Sequence, residues 1–179
     1  METGVSHEEL VQAIHAATAE VFTTMLGLEA APQPYYVENT APQPSDGVVS
    51  LIGLAGRWVG TGSISCSAAF ALKISSHLLM ASFEAVNDEV LDAVAEVTNM
   101  IIGNVKTALE EKLGPLGLSI PTVIYGRNFT TRTIGNNEWV VAPFHCEGER
   151  MDVQVCLAPS RSENPVRPGF PNPHVVGTV

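Results

Sequence analysis

Four residues of this chain have types and spacing that suit chemistry: Asp92, Glu96, Asn99 and Gly103, within the stretch DAVAEVTNMIIGNVKTAL. Successive residues of a helix advance by about 100°, so these four fall within a wedge of about 60° on one face. Val90, Val94, Val97, Ile101, Val105 and Ala108 fall around the opposite direction. The apolar set therefore holds the helix to a sheet, and the Asp92–Glu96–Asn99–Gly103 line looks outward, with Glu110 further along it. Asn costs a helix interior several tenths of a kcal/mol relative to Ala, and Gly about 1 kcal/mol. An exposed site offers no packing to offset either cost. The plain reading is a solvated face; the functional one is a docking strip on which Gly103 lets another surface approach. A carboxamide has one acceptor and two donors, so it can hold a water and aim its lone pair, while a carboxylate can pair with a lysine. No His or Cys shares the face. The pair suits phosphoryl transfer to water, where catalysis is mostly positioning and charge stabilisation, with the metal and phosphate cradle brought by a partner.

The helix that carries these residues has an N-cap at Asn87, acidic residues Asp88 and Glu89 in its first turn, and a stop at Gly114–Pro115. Upstream, Ser6 and Glu9 have capping-box spacing, and Val11, Ile14, Val21 and Met25 recur at helical intervals, predicting a first helix over 7–26 that Gly27 stops. The proline-containing Ala31–Pro44 leaves room for one short edge strand around Tyr35–Val37. Val48–Leu54 is β-prone and is followed by a turn around Gly56. Ile64, Cys66, Ala68, Phe70 and Leu72 then alternate with Ser63, Ser65 and Ser67, predicting a strand with one buried face, and a short helix follows Ile74. Beyond the long helix come three strands: one through Val123, Tyr125 and Phe129, EWVVAPF, and one through Met151, Val153, Val155 and Leu157. GNNE (Gly135–Glu138) and CEGER read as the hairpin turns between them. From Pro159 the chain carries a proline every few residues and no periodicity, so residues 1–158 are expected to form one domain and 159–179 a flexible tail. The order of elements predicts an α+β fold: an antiparallel sheet of about six strands with an N-terminal helix, a short helix and the long motif-bearing helix packed on it.

Composition narrows the functional classes. The chain has 179 residues, 45% of them hydrophobic, with 9 Lys plus Arg against 19 Asp plus Glu and a formal charge of −10. So acidic a chain is unsuited to nucleic acid or an anionic membrane surface, which need a basic patch. No apolar run is long enough to span a bilayer, and METGVSHEEL lacks a signal-peptide profile. The three cysteines, Cys66, Cys146 and Cys156, form no C-x-x-C pair and lie in strand-like runs, consistent with buried free thiols and a cytoplasmic location.

The residues already singled out resemble a known motif. Asp92–Leu109 resembles the D/S-x-x-x-E-x-x-N motif of the CheC–FliY–CheX group of chemotaxis phosphatases. LSIPTVIYG (Leu118–Gly126) is similar to the proline-bearing strand that follows that helix in the family, and LIGLAGRWVGTGSIS to the hairpin that precedes it. The resemblance covers roughly residues 5–157. SAAFALKISSHLLMASFEAVND contains no second E-x-x-N, which favours the single-site CheX type over CheC. The interval from Asn99 to Pro121 is slightly short for the family. The resemblance implies a hydrolase that removes the aspartyl phosphate of a CheY-like response regulator. Asn99 would orient the attacking water and Glu96 would pair with the regulator's active-site lysine. Asp92 would support partner binding, and the Mg²⁺ would belong to the regulator, with no cofactor bound by this chain. It also implies a homodimer formed through the sheets. The reading from another class is a non-catalytic CheX-like module that binds a regulator or mediates dimerisation.

Other motifs carry less. Gly60-x-Gly62 has no third glycine and no helix after it, so it reads as flat strand positions beside a hairpin rather than a nucleotide loop. His7, His15, His77, His145 and His174 are scattered, giving no metal site. His145 and Cys146, adjacent in a strand, point to opposite faces. Trp58 and Trp139 read as core or interface aromatics, and Met80 and Met100 as packing residues.

Overall fold

The first helix begins where the sequence places it. In the computed structural model, which describes residues 4–39, 46–129 and 138–160, Ser6 Oγ accepts the Glu9 N–H at 3.2 Å and the Glu9 carboxylate accepts the Ser6 N–H at 3.0 Å. This reciprocal cap opens α1 (His7–Val21), which runs into one π-helical turn at Phe22–Leu26. Gly27 ends it in a left-handed conformation, φ 65°, which costs a residue without a Cβ little.

The chain then forms β1 (Ala31–Pro32), β2 (Tyr36–Glu38), β3 (Asp46–Gly56), β4 (Trp58–Cys66), α2 (Ala68–Leu79), α3 (Asp88–Leu113), β5 (Leu116–Leu118), β6 (Thr122–Arg127), β7 (Trp139–Cys146) and β8 (Glu149–Pro159). The strands make one sheet in the order β1-β7-β8-β4-β3-β5, with β2 also paired to β7 and β6 to β3. Every pairing is antiparallel. Ile64 faces Val153 across β4 and β8, and Val153 faces Ala142 across β8 and β7. Ile14 and Phe22, Phe70 and Ile74, and Val94, Ile101 and Ile102 from the three helical segments pack with that row in one buried cluster. Gly62 lets α3 sit down on β4: a Cβ there would lie 2.7 Å from Ile102 Cδ1. Among the described residues, no helix is long and apolar enough to cross a membrane.

The α+β class and the helices-on-sheet arrangement are as the sequence reading has them, with several local differences. Among the described residues the sheet has eight strands rather than about six; β1 and β5 are the additions, three residues or fewer each. The strand expected to run through Leu72 stops at Cys66. Ser67 Oγ accepts the Phe70 N–H at 3.1 Å, and this N-cap starts α2 at Ala68, burying Phe70, Ala71 and Ile74 at helical spacing. Ser63 and Ser65 do not face water either. Both are buried and bridged by Gln154, to whose Oε1 Ser63 Oγ donates at 3.1 Å and whose Nε2 donates to Ser65 Oγ at 3.2 Å.

The GNNE hairpin is overturned at the level of pairing. Gly135–Asn137 lie outside the described residues, but the strands they should join are not neighbours: β6 pairs with β3 and β7 with β8. Having docked β5 at Leu54–Gly56, the chain continues along the same strand, so β6 completes β3 at Asp46–Leu51. CEGER does make its turn, with Glu147 (φ 54°) and Gly148 (φ 78°) both left-handed between Cys146 and Glu149. At the far end β8 extends through Pro159, opposite Trp58, and the Ser160 N–H donates to Arg57 O at 2.8 Å. The rest of the expected tail, 161–179, lies outside the described residues.

Candidate functional site

Helix α3 is set by local rules at both ends. Asn87 Oδ1 accepts the Val90 N–H at 3.0 Å, and Asp88 and Glu89 occupy the positive end of the dipole. Val90, Val94, Val97, Ile101 and Val105 are buried, which fixes the helix's rotation on the sheet. Ala108, expected with them, is exposed, because the sheet contact has moved round to Leu109 and Leu113 by the last turns. Of the outward line, Asp92 and Glu96 are exposed, and Asn99 and Gly103 are half-buried.

Partial cover of Asn99 comes from the β5–β6 connection. Asp92, Ala95, Glu96 and Asn99 line one side of a shallow groove and Ser119, Ile120 and Pro121 the other. Pro121 has no N–H to give the β-ladder, so the edge breaks there. The break is pinned: Ser119 N–H donates to Gly53 O at 2.9 Å, and Gly53 N–H donates to Ser119 Oγ at 2.8 Å. Ser119 Oγ in turn donates to Ile120 O at 3.0 Å. On the other flank, Leu78 and Leu79 at the end of α2 form a second groove with Glu89, Asp92, Ala93 and Glu96. Asp92 and Glu96 line both grooves, so they stand on a ridge between them.

Among the described residues, nothing engages the ridge chemically. The side-chain hydrogen bonds of α3 and its cap involve Asn87, Thr98, Asn104, Thr107, Glu110 and Lys112. The ion pairs among the described residues involve none of Asp88, Glu89, Asp92 or Glu96. Glu110 differs from its neighbours on the line. It accepts the Leu116 N–H at 3.0 Å and pairs with Lys106 at 2.8 Å, contacts that hold its carboxyl below the usual range. Its work is structural, fastening the start of β5 to the end of α3.

The remaining sequence candidates fall elsewhere. Cys66, Cys146 and Cys156 are free and buried, and burial pushes the Cys66 thiol up to about 12. His145 is exposed while Cys146 is buried, on opposite faces of β7. Trp58 packs at the edge of the core and Trp139 is buried in a small cluster with Val141 and Cys156. Among the described residues no group of three His, Cys, Asp or Glu side chains converges as a metal site. Met80 is not a packing residue: it is 94% exposed, with φ 51° at the C-cap of α2. Sequence reasoning missed Gly53, Ser119, Ile120 and Leu79. The one signal for the first three was Pro121, whose position inside an apolar β-run marks a ladder break and hence a loop beside the helix.

This arrangement has counterparts. Residues 48–145 match the family model for the chemotaxis phosphatase CheX. Chemotaxis protein CheX from Vibrio vulnificus is 28% identical with a TM-score of 0.75, covering 84% of this chain and 99% of its own. CheX from Desulfovibrio desulfuricans has the same identity, TM-score and coverage. The CheX–CheY–BeF3–Mg²⁺ complex from Borrelia burgdorferi contains a chain 27% identical with a TM-score of 0.66, covering 83% of this chain and 97% of its own. No curated protein sequence matches the chain. With more than half of its length matching the family model and the helix-on-sheet frame shared with solved members, the chain belongs to the CheX chemotaxis phosphatase family.

Proposed function

We propose that this protein hydrolyses the aspartyl phosphate of a CheY-like response regulator, with Glu96 and Asn99 entering the regulator's active site. The observation that supports this most directly is that both side chains project from one helix face into a groove and neither has a hydrogen-bonding or charged partner among the described residues. Asn99 offers a carbonyl lone pair to a water hydrogen and holds the oxygen in line with the phosphorus. The water oxygen bonds to phosphorus as the bond to the aspartyl oxygen breaks. The products are inorganic phosphate and the free carboxylate, with the water's proton passing to solvent or phosphate. Glu96 pairs with a lysine of the regulator and fixes the approach; Asp92, one turn before it, adds negative charge to the same contact. The regulator carries the Mg²⁺ that neutralises the phosphoryl oxygens, as a chain complex with CheY, BeF3 and Mg²⁺ in a relative suggests. Gly103, one turn beyond Asn99, leaves room for the regulator's backbone.

The same reading puts the protein in the cytoplasm, where receiver domains work, and pairs two copies through the sheet. The free side of β6, where Tyr125 is 51% exposed, is the candidate seam. The decisive assay follows loss of phosphate from host receiver domains in Mg²⁺ with wild type, Asn99→Ala and Glu96→Ala. Wild type accelerates loss from its cognate receiver, Asn99→Ala binds it but loses the acceleration, and Glu96→Ala loses affinity. A wild type that accelerates none of them removes the enzymatic reading and leaves a binding module. An active Asn99→Ala removes the site assignment alone.

A further inference from the structure

The ridge that carries Glu96 and Asn99 is bordered by apolar side chains that the fold does not use. Ile120 is 88% exposed at the rim of the groove beside Asn99. Across the ridge Leu79 is 46% exposed in the second groove, and Met80, the next residue, is 94% exposed. Single exposed apolar residues are common on protein surfaces. These two sites differ because each is held in place by the backbone, Met80 in a conformation that favours Gly and Ile120 on a hydrogen-bonded loop. Met80 occupies a left-handed C-cap, a conformation that favours Gly and that a side chain with a Cβ adopts at a cost. Ile120 sits on the loop that Gly53 and Ser119 pin against β3, so its side chain is presented from a fixed backbone rather than from a free one.

We propose that Ile120 on one side and Leu79–Met80 on the other are apolar anchors that seat the receiver domain on the acidic ridge, a proposal that rests on the phosphatase reading above. Charge and shape together define the occupant. Asp88, Glu89, Asp92 and Glu96 present four carboxylates without an ion-pair partner among the described residues, so the partner surface at the centre is basic. On either side of that basic centre it has to offer apolar ground, one patch for Ile120 and one for Leu79–Met80. A receiver domain whose phosphorylation site lies beside a lysine, with apolar loop residues on both sides, fits this description. A flat anion-binding or purely basic surface does not. The anchors supply affinity and choice of partner, whereas Asn99 supplies the rate, because contacts remote from the phosphorus bind substrate and transition state alike.

The test uses the full chain and the receiver that wild type dephosphorylates fastest, with Ile120→Ser, Met80→Gly and the double variant. Both positions are nearly fully exposed, so the variants fold, and Met80→Gly relieves a left-handed backbone and raises Tm. Each single variant raises KM about tenfold with kcat changed less than twofold, and the double variant raises KM further. Direct binding to the same receiver loaded with beryllofluoride and Mg²⁺ weakens by the same factors. Unchanged KM and Kd in all three variants, with Asn99→Ala inactive, overturns the anchors and leaves the phosphatase reading intact. A fall in kcat with KM unchanged also overturns them. If no receiver is dephosphorylated by wild type, both readings fall together.

Discussion

Replacing Gly103 by Ala should make the protein more stable and less active, and both halves can be worked from the structure. Gly103 lies in the middle of α3, where Ala is favoured by about 1 kcal/mol. Among the described residues a Cβ built there meets only Leu118 Cδ1, at 3.8 Å, an ordinary van der Waals contact that asks nothing to move. The whole propensity gain is therefore retained, and for a domain of this size about 1 kcal/mol raises Tm by roughly 2–4 °C. The new methyl nevertheless projects into the half-open strip one turn from Asn99, where the proposed function brings the regulator in. An extra methyl in a packed contact costs about 1–3 kcal/mol, a loss of roughly five- to 150-fold in kcat/KM. Gly103→Leu should deepen the kinetic loss while keeping most of the stability gain. The measurements are a calorimetric Tm and initial rates of phosphate loss from the cognate receiver, on the same preparations. A lowered Tm would refute the account of a half-buried helical glycine with room for a methyl beside it. A raised Tm with unchanged kcat/KM would refute the account of clearance for a partner and return Gly103 to the plain reading of a tolerated residue.

Three further outcomes follow from particular contacts. Gly62→Ala should cost about 1–3 kcal/mol in urea unfolding, since its Cβ would fall within 2.7–2.8 Å of three atoms of the fully buried Ile102, and Ile102→Val should recover part of the loss; an unchanged midpoint would contradict the packing of α3 on β4. Ser119→Ala should destabilise by about 1 kcal/mol, because the Gly53 N–H loses its acceptor, and should raise KM more than it lowers kcat by loosening the Ile120 loop; equal loss in both would place Ser119 in the chemistry instead. His15 is partly buried edge-on to Phe144, with no hydrogen bond to Nε2 among the described residues, and burial pushes its pKa down. The unfolded chain therefore takes up a proton near pH 6.5 that the folded one resists, so stability is full above that pH and falls as the pH drops below it. His15→Phe should flatten the slope of Tm between pH 7 and 5.5, and an unaltered slope would clear His15 of that role.

How much of this was legible in the sequence depended on whether the controlling contact was local. The Ser6–Glu9 cap, the Asn87 cap and the outward direction of Glu96 could be read because each needs only residues three or four apart. The alternation from Ser63 to Leu72 misled because Ala68, Phe70 and Leu72 prolong the strand's period of two, whereas the helix started by Ser67 buries Phe70, Ala71 and Ile74 at helical spacing; the choice between the two belonged to a single serine hydrogen bond. The pairing of β6 with β3 was hidden for another reason. Its alternation says that one face is buried but not against which strand, and β5, which decides the matter, is three residues long. The candidate site divides along the same line. Its proposed chemical residues lie on one helix and announce themselves by the helical period. Its proposed recognition residues come from two other segments, one of them fixed by a hydrogen bond between residues 66 apart. Ile120 and Met80 are also apolar, and an apolar residue read from sequence is assigned to the core by default. Only exposure in three dimensions separates a residue that packs from one that waits for a partner, so the proposed catalytic half of the site is legible early and the half proposed to select the partner is not.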